Sequence, residues 1–252
     1  MSVSKSLFSV FLVPFLLMTG VAVGQTKREA TDFRIDIDIY DDERKPPVSS
    51  VQTIFSAGQY FELDDANGRV TVVDPGQGLI TILDSNRKSL VSLEMASIEH
   101  QLNAALSEMT PEQRRKFSSD GGPIDEGDNY VSIGNEWFRY KFKPVTPANP
   151  VIAINYGDFA NWSARVNAKY YNRPPFIRMQ LNQMLIDQRQ LPGELRRFTV
   201  VPSTTGAPAK KEEIVARLMV KESLSEKDRT RVASVLKSMD EYKKTTDREF
   251  FR

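Results

Sequence analysis

Cysteine is absent from all 252 residues. That excludes disulfides, thiolate-held metal and lipid attachment through a thiol. Histidine occurs once, as His100. Cys–His pairs and two-histidine zinc motifs are therefore excluded, and a Ser-His-Asp triad would have to use this one side chain. On a helical projection of residues 95–109, His100 lies about 200° from Ile98, off the apolar stripe, where solvent exposure is expected. No glycine-rich loop opens a helix. Gly76-Gln77-Gly78 joins two strands and lacks the helix N-terminus that a phosphate site needs. Excess charge of one sign is also missing, the net being +1, so nucleic acid is not an expected partner. Long apolar runs are confined to the first 24 residues, so no membrane span is expected beyond them. No cofactor or resident metal is expected, and no catalytic constellation is evident.

What is present begins with a targeting pattern. Lys5 precedes a nearly unbroken apolar run from Leu7 to Met18, and Ala22-Val23-Gly24 places small residues at the −3 and −1 positions before Gln25. This reads as a secretory signal peptide, residues 1–24, cleaved after Gly24. An uncleaved N-terminal anchor is the alternative, disfavoured by the shortness of the run. The expected location is periplasmic or secreted. The remainder, 25–252, is long enough to bury a core without covalent staples and is expected to form one domain.

Charge divides unevenly along that remainder. Residues 25–128 carry 11 basic and 20 acidic side chains, a balance of −9, and residues 129–252 carry 22 and 13, a balance of +9. The plainer reading is two halves of one fold that attract each other. The sharper one is a basic face for an anionic partner such as a lipid headgroup.

From Phe33 to Glu94 the chain reads as six short strands. Phe33, Ile35, Ile37 and Ile39 alternate with Arg34, Asp36, Asp38 and Tyr40, the period of a half-buried strand. Ala57-Gly58, Asn67-Gly68, Asp74-Pro75-Gly76 and Asp84-Ser85-Asn86 mark tight turns, so the strands should form an antiparallel meander. Val70 to Val73 and Leu79 to Leu83 are apolar or nearly so on both faces, which requires a cover on each. Helices are expected over 95–109, from Thr110-Pro111 to about Phe117, and over 158–170 and 176–188, the last two inserted between strands. A hairpin is expected over 130–143, with Pro144, Pro147 and Pro150 as a connector. A second hairpin pairs 195–201 with 214–224 across a long Ser/Thr/Gly/Pro/Lys loop. A final helix follows the capping-box signature Ser225-Glu226-Lys227-Asp228. The segment 118–128 reads as an exposed acidic loop.

Polar clusters point to little chemistry. Asp36 and Asp38 share a strand face; a carboxylate-only hydrolase would need both inside a cleft, and a solvated strand face is the plainer reading. Asp84-Ser85-Asn86 does not continue as a calcium loop, because Lys88 and Ser89 stand where an oxygen donor and glycine are required. Asn161-Trp162-Ser163 fits a glycosylation sequon but falls within a helix.

The run Val72-Val73-Asp74-Pro75-Gly76-Gln77-Gly78-Leu79-Ile80-Thr81-Ile82-Leu83-Asp84-Ser85-Asn86-Arg87-Lys88 resembles the strand pairs of the LolA/LolB-like superfamily of periplasmic lipoprotein carriers. In these an aspartate-led turn and a strand are followed by Leu-Asp-x-x-Arg/Lys-Lys. The resemblance spans residues 33–109. It implies an α+β fold in which a curved antiparallel sheet, a half-barrel, is covered by several helices. It also implies a non-catalytic exported protein holding a lipid, an acyl chain or a lipoprotein on an apolar concave face. The second half departs from the pattern at the inserted helix pair, and no cavity-closing arginine can be carried over. Expected lining residues are Phe33, Ile35, Ile37, Phe55, Phe61, Val72, Ile80 and Ile82, each also suited to ordinary core. The alternative is an envelope adaptor with a filled core and a protein partner.

Overall fold

A computed structural model describes residues 31–119, 121–171, 174–201 and 210–251. Residues 1–24, where a signal peptide is expected, lie outside the described residues, as does 202–209, most of the long loop expected between the last two strands. The first six strands are β1 (Phe33–Tyr40), β2 (Ser49–Ser56), β3 (Gln59–Asp64), β4 (Arg69–Asp74), β5 (Leu79–Asp84) and β6 (Ser89–Glu94). They pair in sequence order as an antiparallel meander.

Three of its turns repeat one device at a spacing of ten residues. The carboxylates of Asp64, Asp74 and Asp84 each accept a backbone N–H three residues on, from Asn67, Gln77 and Arg87, at 3.0 to 3.2 Å. The residue after each donor, Gly68, Gly78 or Lys88, takes a left-handed conformation with φ of 61°, 66° and 50°. Aspartate fixes the turn by mimicking a backbone acceptor, and glycine admits the positive φ without strain in two of the three.

The chain then forms α1 (Met95–Glu108) and α2 (Pro111–Phe117). The strands β7 (Ile124–Asp125), β8 (Val131–Gly134) and β9 (Phe138–Val145) follow, then α3 (Pro150–Tyr171) and α4 (Phe176–Gln188). The chain closes with β10 (Leu191–Val201), β11 (Lys210–Lys221), α5 (Glu226–Ser238), β12 (Lys243–Lys244) and α6 (Asp247–Phe250). All twelve described strands lie in one curved, open sheet of order β12-β6-β5-β4-β3-β2-β1-β11-β10-β9-β8-β7, antiparallel except where β12 joins β6. The α+β fold expected from the sequence is therefore present. None of the described helices is long and apolar enough to cross a membrane.

Each face of the meander has its own cover. On the inner face, Phe33, Ile35, Phe55, Tyr60, Val73, Ile80, Ile82 and Val91 pack with Met95 and Ile98 of α1, Ile152, Tyr156 and Phe159 of α3, and Phe250 of α6. On the outer face, Ile54, Phe61, Leu63, Val72, Leu83 and Leu90 pack with Leu224 and Val235 beneath α5. Arg34 donates to Asp228 at 2.7 Å and pins α5 to β1. Burial alone would raise the pKa of Asp228, but the Ser225 hydroxyl and N–H and the Arg34 guanidinium outweigh it and hold the carboxyl below its usual range. Farther along the inner face, α4 lays Ile177, Leu181 and Leu185 over Ile133, Tyr140, Phe142 and Leu195.

Two expectations need correction. The segment Ile124–Asp125 pairs with β8, and Glu126 forms ion pairs with Lys141 at 3.2 Å and Arg139 at 3.5 Å. Residues 121–128 are exposed, as expected, but the segment carries this two-residue strand and is held by basic side chains of β9. The third helix begins at Pro150, eight residues ahead of its expected start, because the Asn149 side chain accepts the Val151 N–H at 2.9 Å and caps it,.

Candidate functional site

The inner face is not filled evenly. One lateral row crosses it through register partners: Ile35, Thr53, Glu62, Thr71, Ile82 and Val91. Glu62 is the only charged residue of that row. Alternation along β3 puts Tyr60, Glu62 and Asp64 under α3, because Phe61 and Leu63 are taken by the α5 side. Glu62 therefore sits on the face that holds most of the core.

Above it passes α3. The helix changes character along its underside: Ile152, Tyr156 and Phe159 are apolar or aromatic and buried, and at the next steps of one helical stripe stand Ser163 and Asn167. Asn167 Nδ2 donates to Ser163 Oγ at 3.5 Å. Phe159, Ser163 and Asn167 together with Glu62 form a seam shared by two cavities, one along each flank of the helix.

The larger cavity, about 790 Å³, lies between α3, the start of α4 and strands β1, β9, β10 and β11. Its floor includes Ile37, Ile39, Leu195, Ile214, Ala216 and Leu218, and its roof Tyr156, Ala160, Ala164 and Ile177. A helix end and turns bound it on one side: Lys116 and Phe117 closing α2, Trp137 between β8 and β9, and Pro174-Pro175 between α3 and α4. The volume is within the range of small-molecule sites. Arg178 lines the same cavity. Its guanidinium lies 5.6 Å from the Tyr140 ring centroid and donates to Tyr156 Oη at 3.4 Å. Lys116 pairs with Glu112 at 3.4 Å and faces Trp137. Arg197 and Glu212 also border the space.

The smaller cavity, about 380 Å³, is more polar and runs over β3, β4 and β5. Asp64, Asn67, Arg69, Thr71, Ile80, Ile82, Trp162 and Tyr171 contribute to it. Arg69 donates to Tyr171 Oη at 2.7 Å and links the sheet to the end of α3.

Glu62 belongs to both cavities and accepts no hydrogen bond from any described side chain. Burial, with a smaller push from the Asp64 carboxylate, raises its pKa to about 7. It nevertheless keeps an intermediate share of accessible surface. The two facts agree if that surface faces the cavities, because a cavity wall can admit water-sized contact while lacking the solvation of bulk water. Beside it, Thr53 is wholly buried and its Oγ1 has no hydrogen-bond partner.

The expected lining residues separate into four groups. Ile37 lines the larger cavity, and Ile80 and Ile82 line the smaller. Phe33, Ile35 and Phe55 are closed within the inner core, the two phenylalanine rings stacked at 4.0 Å. Phe61 and Val72 face the other way, beneath α5. Asp36 pairs with Arg34 at 2.9 Å and Asp38 accepts from Ser50 at 2.6 Å, both on the opposite face of the sheet, where Asp38 borders a separate space of about 460 Å³ that Asp36 does not line. His100 is exposed, and Asn161 accepts from Asn182 across the α3–α4 contact at 2.9 Å. Among the described residues no group of three His, Asp or Glu is placed to hold a metal ion. No protein-family model matches the chain, and no curated protein matches it.

Proposed function

We propose that this protein is a non-catalytic binder of single-chain amphiphiles, working beyond the inner membrane, with the acyl or alkyl chain lying in the larger cavity. The observation that carries this reading is a space of about 790 Å³, walled mainly by aliphatic and aromatic side chains, between a curved sheet and the helix pair above it. An alkyl chain laid against these apolar walls would gain roughly 0.8 kcal/mol for each methylene taken from water. The LolA/LolB-like resemblance supports the same reading independently, since a lipid-holding half-barrel uses this face of its sheet. A filled-core adaptor leaves the cavity without a role. The chain bound could belong to a free lipid or to the acyl anchor of a lipoprotein.

The test uses delipidated protein and N-phenyl-1-naphthylamine, an uncharged apolar fluorophore. Saturable uptake with one site per chain and a blue-shifted emission is expected. Ala160→Trp, which places an indole in the cavity from α3, should abolish uptake while far-ultraviolet circular dichroism is retained. If no uptake is seen, and native mass spectra of the purified protein carry no lipid, the reading fails.

A further inference from the structure

We propose that the seam of Glu62, Ser163 and Asn167 is the polar subsite of this cavity and receives a hydrogen-bond-donating head group, an ammonium or a hydroxyl, rather than a carboxylate. The proposal rests on the amphiphile-binding reading above and adds the class of ligand to it.

Three observations carry it. First, Glu62 is a carboxyl on an inner-face row that is otherwise uncharged, and no described residue donates a hydrogen bond to it. A carboxylate cut off from bulk water and without a donor is costly, and its neighbour Thr53 adds a buried, unpartnered oxygen on the same row. Second, Ser163 and Asn167, the polar residues of α3 that line both cavities with this carboxyl, bond only weakly to each other, at 3.5 Å. Third, the seam divides a mainly apolar space from a more polar one. A chain along the larger cavity would therefore bring its head to Glu62, with the smaller cavity as room for water or head-group atoms.

The cations of the larger cavity do not compete for this position. Lys116 is engaged by Glu112 and Trp137, and Arg178 by Tyr140 and Tyr156. Arg197 and Glu212 stand on β10 and β11, with β1 and β2 between them and β3. The charged groups near Glu62 are Asp64 on its own strand and Arg69 on β4, the latter bonded to Tyr171. No charged side chain of α3 lines either cavity. Because the carboxyl titrates near 7, the subsite carries more negative charge at pH 8 than at pH 6. An ammonium ligand should therefore bind better at the higher pH.

The test is displacement of the uncharged naphthylamine probe from the full chain by dodecylamine, dodecanol and dodecanoic acid at pH 8 and pH 6. The amine and the alcohol should compete at least tenfold better than the acid at pH 8. The amine should lose several-fold at pH 6 and the alcohol should not. Glu62→Gln should remove both the amine's advantage and its pH dependence, and Asn167→Ala should weaken amine and alcohol alike. Equal competition by all three compounds overturns the proposal while leaving the amphiphile reading standing, as does an amine affinity unchanged in Glu62→Gln. Failure of every compound and of the probe itself overturns both.

Discussion

A carboxyl held beneath a helix burdens the fold in a way that pH can measure. The folded-state pKa of Glu62 is about 7 against an ordinary 4.5, so the folded chain binds this proton more tightly than the unfolded one. Its contribution to stability is full below the unfolded value and is lost as pH rises from about 4.5 to 7. At 1.36 kcal/mol per unit the loss is about 3 kcal/mol. Glu62→Gln, which stays neutral, should be more stable than the parent by about that amount at pH 8, and the two should converge near pH 4. Urea unfolding at both pH values measures this; a difference that does not vary with pH would show the carboxyl to be solvated. Glu62 is also the residue that sequence reasoning missed. Read alone, Phe61-Glu62-Leu63 turns its apolar residues inward and its acid outward. The signal lay in the next two strands, β4 and β5, apolar or nearly so on both faces, which require two covers and leave no solvated side for an acid in mid-strand beside them.

Elements were legible wherever their ends carry local chemistry. The six strands, the capping boxes at Thr110 and Ser225 and the aspartate-led turns are written in neighbouring residues. The start of α3 is written there too, in Asn149-Pro150, but three prolines close together read as a connector. The beginning of β10 was hidden differently. Pro192 and Gly193 look like strand breakers, yet they fall at a bulge where β10 pairs with β9 alone, before the β11 ladder begins at Glu194,. The contact of α3 with α4, which sets the cavity roof, depends on Gly157. A Cβ there would meet Ile186 Cγ1 at 2.3 Å and Cδ1 at 2.6 Å. Gly157→Ala should therefore cost about 1–3 kcal/mol through overpacking. With Ile186→Ala in place the clash is gone, and the same substitution should stabilise by about 1 kcal/mol through helix propensity. A double-mutant cycle by thermal or urea unfolding tests the reversal of sign.

At the scale of the molecule, the opposite charges of the two halves are used within the chain. Arginines of the basic half meet carboxylates of the acidic half in Arg229–Asp32, Arg231–Asp65, Arg217–Glu43, Arg196–Glu43 and Arg165–Glu99, and β1 and β11 join the halves in one ladder. An open sheet has two edges, and exposed edges invite pairing with other chains. Here each edge ends in a two-residue strand, β7 beyond β8 and the lysine pair of β12 beyond β6. The segment that closes the β6 edge is fastened at several points. Lys243 N–H donates to Lys88 at 3.0 Å and Thr245 N–H to Leu90 at 2.8 Å, Phe250 is buried in the inner core, and Phe251 stacks on Tyr170 with ring centroids 3.8 Å apart. Burial and edge protection can be separated by comparing two variants. Phe250→Ala should cost about 3 kcal/mol and leave the oligomeric state as in the parent, because the backbone contacts of Lys243 and Thr245 survive. Deleting 243–252 removes the same ring and also bares the N–H and C=O groups of β6, a strand with apolar side chains on both faces. It should add concentration-dependent association to the loss of stability. Sedimentation of both variants alongside the parent decides the matter: if the truncated chain sediments as the Phe250→Ala variant does, β12 anchors the terminus but does not guard the edge.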